Sequence, residues 1–256
     1  MAKKIYFLSD FHLGAPDYAS SLEREKIIVQ FLEEIKNEAS EIFLVGDMFD
    51  FWYEYRKVVP KGYVRLLGKL AELSDTGIPM HFFVGNHDMW VRDYFQKELN
   101  IPVYFKPVEF DRNGKKILVG HGDGLGPGDH RYKRLKKIFR SPLCKWLFGV
   151  LPPMMGMGLA NYLSRRSRAQ TGASEEIFFG EDKEWLIIYC KEILKEKNID
   201  FFVFGHRHLA IDYRLSANSR YINLGDWIKY FTYAVLDGTT MTLASYKGRD
   251  DMIIRN

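Results

Sequence analysis

Five groups of side chains in this 256-residue chain carry the functional types of a metal centre. They are Asp10-Phe11-His12, Gly46-Asp47, Gly85-Asn86-His87-Asp88, Gly120-His121-Gly122-Asp123 and Gly205-His206-Arg207-His208. Five of the seven histidines fall in these groups; only His81 and His130 lie outside. Carboxylates, imidazoles and one amide oxygen, with no thiolate, suit Mn²⁺, with Fe²⁺ or Zn²⁺ as the other candidates. Two such ions need a bridging group, and Asp47 is the natural one. A pair of divalent ions acidifies a shared water and clamps the oxygens of an in-line displacement at phosphorus. His87 is then free to act as a general acid toward the leaving oxygen, with Asp88 orienting its imidazole.

Each group directly follows a short apolar run: Lys4–Leu8, Ile42–Val45, His81–Val84, Ile117–Val119 and Phe201–Phe204. These read as strands, so all five groups sit at carboxyl ends, where open α/β sheets bind their ligands. The glycines let the chain turn tightly there. Between the strands, apolar spacing predicts helices over 21–37, near 62–74 and over 182–197. Asp111-Arg112-Asn113-Gly114 predicts a hairpin turn between strands near 103–110 and 115–119. Residues 221–226 and 231–246 read as two or three further strands turning at Asp237-Gly238, and Met89-Trp90 as the start of a helix. His81 reads as an ordinary strand residue and His130 as part of a turn.

The net charge of +4 conceals an asymmetry. Residues 124–170 hold ten Lys/Arg and one acid, so this stretch carries +9 and the remainder −5. The same stretch is rich in Leu, Met and Trp, and it interrupts the series of motif strands. It is expected to form a basic, amphipathic helical cap over about 125–180, inserted into a single domain spanning 1–256. Two cysteines without a CxxC pair suit a reducing compartment and argue against a structural zinc site. No signal-like core and no apolar run of membrane-spanning length is present, so a cytoplasmic protein is expected.

The five motifs, in this order, resemble the signature of calcineurin-like metallophosphoesterases. The resemblance implies a four-layer α/β/β/α sandwich. It also implies one metal on Asp10, His12, Asp47 and His208, and a second on Asp47, Asn86, His121 and His206. Within that superfamily the chain is similar to the UDP-2,3-diacylglucosamine hydrolases of lipid A synthesis. The similarity rests on Gly46-Asp47-Met48-Phe49-Asp50-Phe51-Trp52, on His121-Gly122-Asp123-Gly124-Leu125 and on Leu224-Gly225-Asp226-Trp227. It extends through the cap at Tyr132, Pro142, Leu147-Phe148, Leu151-Pro152, Ala160 and Ser167-Arg168. One departure stands out: well-known members carry Arg where this chain has His87. In them the Arg is expected to contact the substrate phosphate; here His87 can serve as acid or transition-state donor.

The cap admits three readings: a local core with a solvated basic face, a pocket for acyl chains, or a groove for a nucleic-acid backbone. A Lys/Arg-rich amphipathic stretch with Trp and Leu fits an anionic membrane interface. The long Met/Leu tract argues against nucleic acid, which would call for interleaved aromatics. The expectation is therefore a two-metal hydrolase that splits the diphosphate of UDP-2,3-diacylglucosamine into UMP and 2,3-diacylglucosamine 1-phosphate. It would act on this lipid-linked nucleotide sugar from the cytoplasm, peripherally on the inner membrane. The resemblance implies that catalysis rests on Asn86, His87 and Asp88, and that Tyr132, Arg165, Ser167 and Arg168 bind substrate. The alternative is a metallophosphoesterase acting on a soluble nucleotide or phosphodiester.

Overall fold

The computed structural model describes residues 3–256 apart from Asp129, Asn161 and 165–176. Two six-stranded sheets form its centre. In chain order the strands and helices are β1 (Lys4–Leu8), α1 (Tyr18–Ile35), β2 (Ala39–Val45), α2 (Val64–Asp75), β3 (Met80–Phe83), α3 (Tyr94–Leu99), β4 (Val103–Tyr104), β5 (Val108–Arg112) and β6 (Lys115–Val119). They continue as α4 (His130–Arg140), α5 (Pro142–Val150), α6 (Trp185–Leu194), β7 (Phe201–Phe204), β8 (Ala210–Ser216), β9 (Ser219–Leu224), β10 (Thr232–Asp237), β11 (Thr240–Ser245) and β12 (Ile254–Arg255). One sheet runs β11-β10-β1-β2-β3-β4 and the other β12-β8-β9-β7-β6-β5.

Side-chain alternation builds the layers. Along β1, Tyr6 and Leu8 join a core with Ile28, Phe31 and Leu32 of α1, Leu66 and Leu70 of α2 and Phe95 of α3. Ile5 and Phe7 face the other way, into a core with Ile117, Val119, Phe202 and Val203 of the second sheet and Leu186, Ile187 and Cys190 of α6. The period of two along a strand produces this division. The expected α/β/β/α sandwich is therefore present. Each fully buried Phe or Leu contributes on the order of 1.5–3 kcal/mol to it.

The motif strands occupy the middle. β1, β2 and β3 are parallel neighbours in one sheet, and β6 and β7 are parallel neighbours in the other. Their carboxyl ends meet along one edge of the sandwich. The run 103–110, expected as one strand, is divided. β4 pairs with β3 in the first sheet, while β5 pairs with β6 in the second. Pro107 lies at the crossing, where it supplies no ladder donor. Met89-Trp90 does not begin a helix: Trp90 forms an isolated bridge with Tyr53, and α3 starts at Tyr94. His130 opens α4 instead of lying in a turn, and β8 has no counterpart in the expectations from sequence.

The cap contains α4, α5 and a helical stretch at 153–160. Ser141 caps α5, its hydroxyl accepting from the Cys144 amide at 3.2 Å, with Pro142 at the first helical position. Phe148 anchors the cap, its ring 4.6 Å from Trp90 and 4.7 Å from Tyr53. The Tyr53 hydroxyl donates to Lys145 O at 2.8 Å, and the Trp90 indole donates to Phe139 O at 2.7 Å. The aromatic residues after Asp47 are thus the seat of the cap. No helix among the described residues is long and apolar enough to cross a membrane.

Candidate metal centre

Backbone conformation at the strand ends departs from what side chains prefer. Asp10, His12, Asp47 and His206 all have positive φ, at 55°, 44°, 54° and 70°. Non-glycine residues hold this left-handed conformation at a cost of about 1–3 kcal/mol each, and such residues gather at functional sites. Close approach adds a second constraint. A Cβ on Gly85 would collide with the Asp47 carboxylate, and one on Gly205 with the Asp10 carboxylate. Only glycine lets these strand ends crowd the acids so closely.

The side chains so placed converge in two clusters, with His12, Asp47 and His87 forming a third grouping between them. In the first, His12 Nε2 lies 3.0 Å from His208 Nε2 and 3.6 Å from Asp10 Oδ1, which is 3.5 Å from His208 Nε2. In the second, His121 Nε2 lies 3.2 Å from Asp47 Oδ2 and 3.1 Å from Asn86 Oδ1. His206 brings a further ligand atom to within 4.8 Å of those of Asp47 and His121. Asp47 stands between the clusters, its Oδ2 3.8 Å from His12 Nε2. All seven ligand residues expected from sequence are therefore brought together.

The electrostatics of this cluster fit divalent cations. Burial alone lowers the proton affinity of His121, but Asp47, with Asp10 and Asp123 nearby, overrides it and lifts the imidazole to about 10. His208 is raised in the same sense, Asp10 outweighing burial. Asp10 Oδ1 is buried with no hydrogen-bond donor. Buried carboxylates that pull protons onto neighbouring imidazoles constitute a site short of positive charge, and buried charges are otherwise paired or ligate metals.

Supporting residues fix the ligands. His121 Nδ1 lies 2.9 Å from Val45 O; a carbonyl only accepts, so Nδ1 carries the proton and Nε2 is left to ligate. Asp226 Oδ2 lies 3.5 Å from His208 Nδ1. Arg24 of α1 reaches under the first loop, its Nε donating to Phe11 O and its Nη2 to His12 O, both at 2.7 Å. Arg24 was not anticipated, although a signal exists: it precedes Ile28, Phe31 and Ile35 on the buried stripe of α1, where a charge is out of place.

Two expected partnerships differ in the structure. Asp88 does not meet the His87 imidazole. Its carboxylate accepts from the Met48 amide at 2.9 Å and the Gly85 amide at 2.7 Å. Burial, then the charge of Asp47, raises Asp88 to about 7. It pins the β2 and β3 ends together, since backbone amides in tight turns seek the nearest acceptor. His87 is instead oriented by Asp50: its Nδ1 lies 2.9 Å from Asp50 O and 3.6 Å from Asp50 Oδ1. Ser164 of the cap donates to Asp50 Oδ2 at 3.0 Å. Burial lowers His87 to about 4, so its ring is neutral with the proton on Nδ1. Asp123, two residues after His121, accepts from the Tyr132 hydroxyl at 2.8 Å and pairs with Lys136 at 2.5 Å. Tyr132 therefore stands beside the second cluster, its ring 6.4 Å from that of His206. Arg165, Ser167 and Arg168 lie outside the described residues.

Known proteins resemble this chain in sequence. The model of the calcineurin-like phosphoesterase family matches residues 3–210. A UDP-2,3-diacylglucosamine hydrolase of Porphyromonas gingivalis (strain ATCC BAA-308 / W83) is 42% identical, over 96% of this chain and 98% of its own length. The hydrolase of the same name from Vibrio atlanticus is 29% identical, over 88% of this chain and 89% of its own. Among solved structures, the E. coli phosphoesterase Yfce aligns with a TM-score of 0.48 at 15% identity, covering 96% of this chain and 94% of that one.

Proposed function

The chain belongs to the calcineurin-like phosphoesterase family, and we propose that it hydrolyses the diphosphate of UDP-2,3-diacylglucosamine to UMP and 2,3-diacylglucosamine 1-phosphate. Relatives of that name run the length of the chain. The observation that carries the lipid reading is the outer face of the cap. Leu143, Trp146, Leu147, Val150, Met154 and Met155 all stand at least half exposed there. Exposed apolar patches of this kind mark lipid or partner sites. The adjoining helix α4 is basic, with Arg134 and Lys137 among its residues, which fits peripheral contact with an anionic membrane surface on the cytoplasmic side.

Asp10, His12, Asp47 and His208 would hold one ion, and Asp47, Asn86, His121 and His206 the other, with Mn²⁺ the favoured metal. Bound there, the ions supply positive charge to the phosphoryl oxygens and make water more acidic. The chain itself supplies position and proton transfer. His87, neutral with its Nδ1 proton held on Asp50 O, would present Nε2 on the side of the departing phosphate oxygen and relay to it a proton taken up from solvent. Asp88 keeps Asn86 and His87 in place through the Gly85 turn. Tyr132, Arg165, Ser167 and Arg168 would meet the sugar and phosphate of the substrate.

The test is UMP release from UDP-2,3-diacylglucosamine with Mn²⁺ and mild detergent, with UDP-N-acetylglucosamine as the unacylated control. Turnover of the acylated substrate alone is expected. Hydrolysis of a generic aryl phosphodiester without turnover of the acylated substrate would overturn the lipid assignment and leave a phosphodiesterase.

A further inference from the structure

A concavity opens beside the metal cluster. It begins at His121 and Gly122 and continues as a groove along α4. The inner part holds about 130 Å³ and the outer groove about 460 Å³. Lys106, Lys133, Lys136, Lys137 and Arg140 line the two parts, and Asp123 is the one acid among the lining residues. Lys136 and Arg140 stand one helical turn apart, so they point the same way from α4.

These cations are poorly satisfied by the protein. Arg140 Nε is buried without a hydrogen-bond acceptor. Its Nη1 makes only a long contact, 3.4 Å, to Phe105 O. A buried donor left unmade is costly unless a ligand completes it. Lys136 spends one hydrogen bond on Asp123 O and pairs with the Asp123 carboxylate, which leaves its third proton unassigned. Burial lowers its proton affinity, and the Arg140 charge lowers it further, whereas an added anion would restore it. The opposite wall is apolar and aromatic: Phe83, Tyr104, Phe105 and Pro107. Tyr104 stacks on Phe83 at 4.9 Å, forming a rigid flat surface. The inner volume is close to the roughly 150 Å³ cavity that admits a benzene ring.

We propose that this cleft is a nucleotide subsite, which takes a nucleoside 5′-monophosphate with its phosphate on Lys106, Lys136 and Arg140 and its pyrimidine ring against Tyr104 and Phe105. The proposal rests on the reading above that the substrate is a nucleoside diphosphate derivative. It divides the substrate between two surfaces: the acylated sugar goes to the apolar cap, and the nucleotide goes to the basic cleft beside His121. Planar guanidinium forks and ammonium groups suit a phosphate of two negative charges, and the aromatic wall suits a base that stacks without sequence-specific contacts.

Calorimetric titration of the Mn²⁺-loaded full chain with UMP, and separately with inorganic phosphate, tests this. UMP should bind more tightly than phosphate. Arg140→Met should weaken UMP by about tenfold or more, as loss of a charge-assisted contact does. Lys197→Met, at an exposed residue outside the cleft lining, should leave the affinity unchanged. Arg140→Met that keeps UMP affinity within about twofold while folded, by its thermal transition, overturns the proposal. Should that variant not fold, Lys106→Met, on an exposed loop, is judged by the same criterion. UMP binding no tighter than phosphate also overturns it. The two readings fail separately. Turnover of the acylated substrate with UMP affinity intact in the variants removes the subsite alone. UMP affinity lost in the variants of an enzyme inert toward the acylated substrate removes the lipid reading alone.

Discussion

The strand-end edge and the cap that covers it are built on opposite terms. At the edge, Asp10, His12, Asp47 and His121 are almost wholly buried, and backbone strain, glycine contacts and second partners constrain each ligand. The cap is joined to the sandwich at a few points, chiefly Phe148, the Tyr53 and Trp90 hydrogen bonds, and the contacts of Tyr132 and Ser164. Leu143, Trp146, Leu147, Val150 and Met154 of the cap face outward. The contrast separates two tasks. Chemistry needs ligands fixed to a fraction of an ångström, whereas the acyl-chain surface proposed for the cap would need area and tolerate imprecise packing.

If that division holds, damage at the edge should abolish turnover whatever the substrate. Asp47→Ala removes the bridge between the clusters and should reduce kcat by well over the roughly 10–100-fold typical of outer partners. Metal analysis should show fewer than two ions per chain. Gly85→Ala is a subtler break: its methyl collides with the Asp47 carboxylate. Activity should fall about 10–100-fold, with a stability loss of about 1–3 kcal/mol from overpacking. Wild-type metal content and kcat in this variant would show that the edge is not so tightly determined.

A third change separates stability from catalysis within the sandwich. On strand β2, Glu41 is buried, 2.7 Å from His81 Nε2 and paired with both Arg112 nitrogens at 2.6 and 2.7 Å. Burial opposes its charge, but Arg112 and His81 win and hold it at about 2. The folded value lies below the unfolded one. The stabilisation is therefore complete above about pH 4.5 and is lost as pH falls toward 2. Glu41→Gln should cost roughly 3 kcal/mol at neutral pH and flatten the acid limb of a denaturation series. Its metal content should not change.

At the cap, Phe148→Ala should act on KM for the acylated substrate more than on kcat for a small phosphodiester, because it loosens the cap without touching a ligand. A stability loss of about 1–3 kcal/mol is expected, less than for a central core Phe. The smallest effect on the fold should come from Trp146→Ser. Trp146 is 63% exposed, so unfolding should move by no more than about 0.5 kcal/mol. Flotation with anionic vesicles should nonetheless weaken measurably.

The same contrast governs what could be read from sequence. The clustering of the seven candidate ligands was legible because each is a polar residue soon after an apolar strand, and the parallel neighbours β1-β2-β3 and β6-β7 carry them to one edge. Sheet membership was not legible: β4 and β5 read as one strand, and only Pro107 hints that the chain changes sheets there. Asp88 was misassigned because sequence adjacency to His87 says nothing about direction, and the backbone amides of Gly85 and Met48 lay closer. Asp50 was the better candidate. It follows Asp47 by three residues in the same loop, and its carbonyl meets His87. Trp52, Tyr53 and Tyr55 were equally open to packing or substrate contact; Trp52 packs in the main core against Phe49 and Phe95, while Phe148 and Lys145, distant in sequence, make Tyr53 part of the seat of the cap.

The division of labour itself is tested most directly by one ratio. Specific activity on UDP-2,3-diacylglucosamine, relative to a small aryl phosphodiester, should be measured for wild type and for a Trp146→Ser, Leu147→Ser, Met154→Ser variant, each with its metal content. The account predicts two ions per chain in both proteins, unchanged phosphodiester turnover, and a ratio that collapses by about tenfold or more in the variant. An unchanged ratio, or loss of both activities together with the metals, would contradict it.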